Sequence, residues 1–184
     1  MTFSRSGISA LAISLALSSR VIAQSTTVSL LDYRTTVPSG WTSRAPSSSS
    51  RLAEYTANGG VEVVVYFFGK GSGGNVEANL TRWKGQFSTP DGSAVPETIT
   101  RDSAGVFPIT FAEYHGTYRR GIGAGNADSV KTGQALVAAI AETPRGTMFI
   151  QMFGPSAAVV GQRDNFTKFV RGLKDSGPGN DSTR

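Results

Sequence analysis

The chain of 184 residues contains no cysteine. That single absence excludes disulfides, thiol nucleophiles, thiolate metal sites and the lipid-bearing cysteine of a lipoprotein. Histidine is nearly absent too, and with His115 alone a multi-histidine metal cage is impossible. Charge is scarce: Asp, Glu, Lys and Arg make up 17% of the chain, against roughly a quarter in a typical soluble domain. The surface must therefore rely on Ser, Thr, Gly and Asn. After the N-terminal stretch no apolar run is long enough to cross a bilayer, which takes about 20 residues. Basic clusters are also missing. Although 18 basic against 13 acidic residues give a net charge of +5, only Arg119 and Arg120 are adjacent. No basic stripe is interleaved with aromatics, so the electrostatic footprint of a nucleic-acid binder is lacking.

What is present begins with an address. Arg5 lies in a short polar start, followed by the apolar run from Ile8 to Leu17 and then by Val21-Ile22-Ala23. A basic start, about ten apolar residues and small or aliphatic residues at the −3 and −1 positions describe a secretory signal peptide. The expectation is residues 1–23 as a signal peptide cleaved after Ala23, residues 24–176 as one α+β domain, and residues 177–184 as a disordered tail. Cleavage removes Arg5 and Arg20 and no acid, leaving 16 basic and 13 acidic residues over 161. Much of the basic excess thus belongs to the export signal. The expected destination is periplasmic or extracellular.

Within the domain, residues 24–36, polar with a short apolar core from Val28 to Tyr33, suggest a lead-in strand. Pro38-Ser39-Gly40 forces a turn before Trp41, a side chain large enough to need a core. Residues 46–50 read as a loop and residues 51–56 as an edge strand. Residues 61–68 are apolar at both parities after Glu62, the pattern of a central strand buried on both faces. Residues 75–87 place Val76, Leu80, Trp83 and Phe87 at spacings of 4, 3 and 4, the stripe of an amphipathic helix, with Asn75 as its N-cap. Strands follow over residues 95–101, 107–118, 134–142 and 147–153, the last two joined by the hairpin signal Thr143-Pro144-Arg145-Gly146. Residues 119–133 form a long loop. Gly154-Pro155 opens a final helix whose buried face is Val159, Phe166, Phe169, Val170 and Leu173. Two helices and five to seven mainly antiparallel strands predict an α+β domain with helices flanking the sheet.

Two motifs invite a chemical reading. Gly69-Lys70-Gly71-Ser72-Gly73-Gly74 joins a buried strand to a helix and fits the pattern of a dinucleotide-binding turn. No second parallel strand ending in an acid follows, so the run reads instead as a joint needing positive φ, and no cofactor is expected. No Ser-x-x-Lys or Gly-x-Ser-x-Gly arrangement exists for nucleophilic catalysis. Glu113 and His115 share one strand face two residues apart and form the acid–base pair with a geometric argument behind it. The competing reading is a strand end emerging into solvent. Arg82 and Gln86 stand at i and i+4 on the first helix and offer a polar edge for a carboxylate or partner, with Asp91 as an alternative recipient in the loop beyond.

The strand, the run from Gly69 to Leu80 and the segment Arg82-Trp83-Lys84-Gly85-Gln86-Phe87 resemble a family of small exported bacterial proteins with no assigned activity. His115-Gly116-Thr117-Tyr118, the hairpin and Phe153-Gly154-Pro155 follow in that family's order. The placing of Trp41 and the hairpin leading through Gly-Pro into a helix are similar to the fold shared by Mog1 and the PsbP proteins of photosystem II. That resemblance implies an antiparallel sheet between helices and no particular function. The expected role is a non-catalytic binding or accessory module for a protein or small ligand of the cell envelope, with Arg82, Gln86, Asp91, Arg119 and Arg120 as contact residues. The alternatives are a small hydrolase using Glu113 and His115, or an apolar small-molecule or lipid carrier with a cavity between sheet and helix.

Overall fold

A computed structural model describes residues 26–105, 107–119 and 130–176. The expected signal peptide, the C-terminal tail, Arg120 and most of the loop 119–133 lie outside the described residues. Two short strands, β1 (Thr26–Leu30) and β2 (Tyr33–Val37), form a hairpin where one lead-in strand was expected. Next come β3 (Thr42–Arg44), β4 (Arg51–Ala57) and β5 (Val61–Phe67), helix α1 (Val76–Lys84), and strands β6 (Phe87–Ser88), β7 (Glu97–Ala104), β8 (Phe107–Arg119), β9 (Val130–Thr143) and β10 (Gly146–Pro155). Helix α2 (Ser156–Arg171) and β11 (Lys174–Asp175) end the domain. The large sheet runs β3-β4-β5-β10-β9-β8-β6, with β7 sharing the outer edge of β8, and every pairing in it is antiparallel. A small sheet, β1-β2-β11, packs beside α2.

The sheet separates two cores, and strand parity decides which residue enters which. Val61, Val63 and Val65 of β5 and Met148, Ile150 and Met152 of β10 face α2, where Val159, Phe166, Phe169 and Val170 meet them with no solvent exposure on any of the four. Burying each such side chain contributes about 1.5–3 kcal/mol. Trp41 caps this core, tilted against Phe169 at 5.4 Å and donating its indole N–H to Gln162 Oε1 at 3.0 Å. On the opposite face Leu80 and Trp83 of α1 pack on Ala112, Tyr114, Leu136, Ala138, Ile140 and Phe149.

Further details depart from the sequence expectation, among them Arg119 and residues 130–133, which belong to β8 and β9 rather than to the loop expected there. The strand over 51–57 is not an edge, because β3 pairs with it. The helix expected over 75–87 stops at Lys84 with Gly85 as its C-cap, yet Phe87 still reaches the same core from β6, so the apolar stripe outlasts the helix. The described residues hold eleven strands, eight of them in the large sheet, rather than five to seven, since β3, β6 and β11 are too short to show a period of their own and the lead-in segment is two strands. The N-cap is as expected: the Asn75 side chain accepts from the Ala78 amide at 2.8 Å.

Candidate functional site

A helix of nine residues is about 14 Å long and 10 Å wide. Seven strands in file at about 4.8 Å spacing extend nearly 30 Å. Helix α1 therefore covers β8, β9 and the Phe149 end of β10, and among the described residues the rest of its sheet face is open. Across that open half the side chains of β5 and β10 that share the face are Glu62, Val64 and Tyr66, paired opposite Phe153, Gln151 and Phe149. A groove follows: a cavity of 410 Å³ bounded by Gly60, Glu62, Tyr118, Lys131, Gln134, Phe153, Gly154 and Pro155. It continues, through the shared Glu62, Tyr118 and Phe153, into a smaller hollow of 100 Å³ that adds Arg51, Val64, Tyr66, Gln86, Leu136 and Gln151.

The groove is built of aromatics and neutral amides, with its arginines paired to acids and Lys131 as one further cation. Tyr118 lies tilted on Phe153 at 4.4 Å and on the buried Phe87 at 5.3 Å. The Arg51 guanidinium sits 5.3 Å above the Tyr66 ring and pairs with Glu54 at 3.0 Å. Arg44 lies 3.6 Å from Glu54 and 3.8 Å from Glu62. Gln134, nine-tenths buried, donates to the Thr132 carbonyl at 3.1 Å. The side-chain amides of Gln86 and Gln151 bond to no described residue. Behind this wall the Glu54 carboxylate accepts from the Ser47 amide at 2.6 Å, the Ser47 hydroxyl and Arg51. The backbone donor first, then that hydroxyl, hold its pKa at about 2 against the opposing effect of burial.

Glu113 and His115 lie on the other face, beneath α2. Their side chains meet, His115 Nε2 to Glu113 Oε1 at 2.5 Å, so the strand face does bring them together. The strand end is partly solvated, as expected, with the His115 side chain 32% exposed, but the Glu113 side chain is only 14% exposed, because Arg163 of α2 reaches down and donates both Nε, at 3.0 Å, and Nη2 to its carboxylate. Burial pushes the Glu113 carboxyl up, but the hydrogen bonds from Arg163 and His115 outweigh it and leave the pKa below the ordinary value. The same bond raises the Arg163 pKa. A carboxylate held ionised by a two-pronged guanidinium is a poor proton acceptor. The arrangement ties α2 to the sheet.

The remaining candidates do not converge. Arg82 turns back along α1 to Asn79 Oδ1 at 2.5 Å and borders a separate depression with Phe68 and Gly73. Since Gln86 lies past the helix end, the two do not form the expected i, i+4 edge, and Gln86 alone joins the groove. Asp91 accepts from the Ser93 amide in its own exposed turn rather than from Arg82. Arg119 ends β8, its amide bonded to the Gln86 carbonyl at 2.8 Å. The glycine run is a joint as expected: Gly69, Gly71, Gly73 and Gly74 all have positive φ, and a Cβ at Gly73 would stand 2.6 Å from the Phe149 ring. Among the described residues no group of three or more acidic or histidine side chains is placed to hold a metal ion, and no helix is long and apolar enough to cross a membrane.

Compared with solved structures, the chain superimposes on a mutant of the protein Mog1 with a TM-score of 0.50 at 11% identity, covering 83% of this chain and 96% of that one. It matches the cyanobacterial PsbP of Synechocystis sp. PCC 6803 with a TM-score of 0.51, also at 11% identity, covering 87% of this chain and 97% of the other. The fold is that of Mog1 and PsbP. No protein-family model matches the chain, and no curated protein matches it in sequence. At such identity the likeness carries architecture and not chemistry. On this Mog1/PsbP-like frame the groove residues Tyr66, Tyr118, Gln134, Gln151 and Phe153 are absent from the candidates that the sequence nominates. One signal marks them: Glu62 and Gln151 are polar residues inside strands that are otherwise apolar, and they stand where the covering layer ends.

Proposed function

We propose that the chain is an exported, non-catalytic binding module that takes its ligand in the groove beside α1. The observation that carries this reading is the groove's lining, in which paired aromatic rings sit among amides with hydrogen-bonding capacity to spare, on a rigid central sheet. Pockets of this size with a few convergent polar groups are the usual form of a ligand site. The acid–base pair offers less for a hydrolase, since Arg163 engages its carboxylate. A lipid carrier needs space between sheet and helix, where Phe149, Phe166 and Phe169 are packed to within 1% exposure.

Export rests on residues 1–23. N-terminal sequencing of the protein from the cell envelope or medium is expected to begin at Gln24, and an uncleaved chain confined to the cytosol contradicts it. For binding, envelope extract is expected to raise the melting temperature of the mature domain by mass action. The double variant Gln86→Ala, Gln151→Ala should keep its own melting temperature but lose that rise. A rise that persists in the variant rules out the groove.

A further inference from the structure

We infer that the ligand of this groove is a neutral oligosaccharide lying along the strands of the open sheet face. The inference rests on the preceding reading of the groove as the binding site and goes on to its chemistry. Sugars present flat C–H faces that stack on aromatic rings and rims of hydroxyls that need donors and acceptors together. Tyr118 and Phe153 supply the first, and amides, which donate and accept at once, supply the second through Gln86 and Gln151.

Charge separates this class from another that also stacks on aromatics. Single-stranded nucleic acid requires a positive channel along its backbone, whereas here Arg44 and Arg51 are matched by Glu54 and Glu62, and Lys131 is the single further cation of the lining among the described residues. A lipid chain would leave the amides desolvated and unpaired, at a cost for each.

A second aromatic group sets the length. Phe68, 45% exposed, stacks parallel on Tyr66 with ring centres 6.0 Å apart and leans on Phe149. Phe149 and Phe153 are four residues apart on β10, about 13 Å at strand spacing. The two aromatic groups thus stand at opposite ends of one face, with Gln151 between them on the same side of the strand. A chain of several sugar units engages both, and a disaccharide engages one.

The test is calorimetric titration of the mature protein with neutral gluco-, xylo-, manno- and chito-oligosaccharides of two and six units, with amide NMR spectra at each end point. A laurate solution and an alanine-rich peptide are run alongside. At least one six-unit sugar is expected to bind and to shift Gln86, Tyr118 and Gln151. Phe68→Ala, whose exposed site leaves the fold intact, should weaken the six-unit sugar by about tenfold and leave the two-unit sugar unchanged. Gln151→Ala should weaken both. If no neutral sugar binds while laurate or the peptide shifts those amides, the glycan inference is overturned and the groove survives. Should sugars bind but shift only residues elsewhere, the groove reading fails as well. Silence from every sugar overturns the inference, and equal loss of both lengths in Phe68→Ala overturns the two-ended geometry.

Discussion

Glu54 shows how a single side chain governs the response to acid. Its carboxyl falls from an ordinary value of 4.5 to about 2 in the folded protein. The unfolded chain therefore takes up the proton first as pH drops, and stability follows the protons bound in each state. The contribution of Glu54 is full above pH 4.5 and is lost as pH falls towards 2. Urea midpoints measured across that range should decline, and Glu54→Gln should flatten the decline while lowering the midpoint at neutral pH. A variant with the wild-type slope would show that another group carries it. Gly116 makes a different kind of demand. With φ at 150° it lies where β8 shifts register, and a Cβ there would stand 2.5 Å from the Ser88 carbonyl oxygen. Gly116→Ala is expected to cost about 1–3 kcal/mol, read from denaturant unfolding, by forcing β6 away from β8. An unchanged midpoint would show that the edge accommodates the methyl group.

Among the elements, α2 does the most to hold the layers together. Phe166 is fully buried, and Phe166→Ala should cost about 3–5 kcal/mol. Calorimetric unfolding checks this, and a loss below 1 kcal/mol would mean that the core collapses around the gap. The two helices are the most legible elements, because the stripe from Val159 to Leu173 and that from Val76 to Trp83 are periodic enough to stand without tertiary information. The central strand over 61–68 is equally plain in position, but its expected burial on both faces is met on the α2 side by Val61, Val63 and Val65 alone: on the other face Glu62 and Tyr66 stay at least partly exposed, and Phe68 beyond the strand is 45% exposed. The short strands β3, β6 and β11 are not legible, since two or three residues become a strand only through a partner distant in sequence. Phe87 illustrates the limit. Its spacing extends the helical stripe, yet Gly85 ends the helix, and burial alone does not distinguish a helix from a strand that fills the same core.

For the whole molecule, unequal coverage of one sheet creates the site. Helix α2, at sixteen residues, together with β1 and β2, closes one face, and the nine-residue α1 closes half of the other. The candidate pair Glu113 and His115 lies under the closed face. The groove residues lie on the open one and come from five elements, which no local pattern unites. Glu113→Gln should therefore leave ligand binding unchanged while loosening α2. The central claim is that the open half of the α1 face is the binding surface. Mapping amide shifts of the isotope-labelled mature domain on addition of envelope extract tests it most directly. Perturbations are predicted to centre on Gln86, Tyr118, Gln151 and Phe153, and perturbations centred on Glu113, His115 and Arg163 would contradict the account.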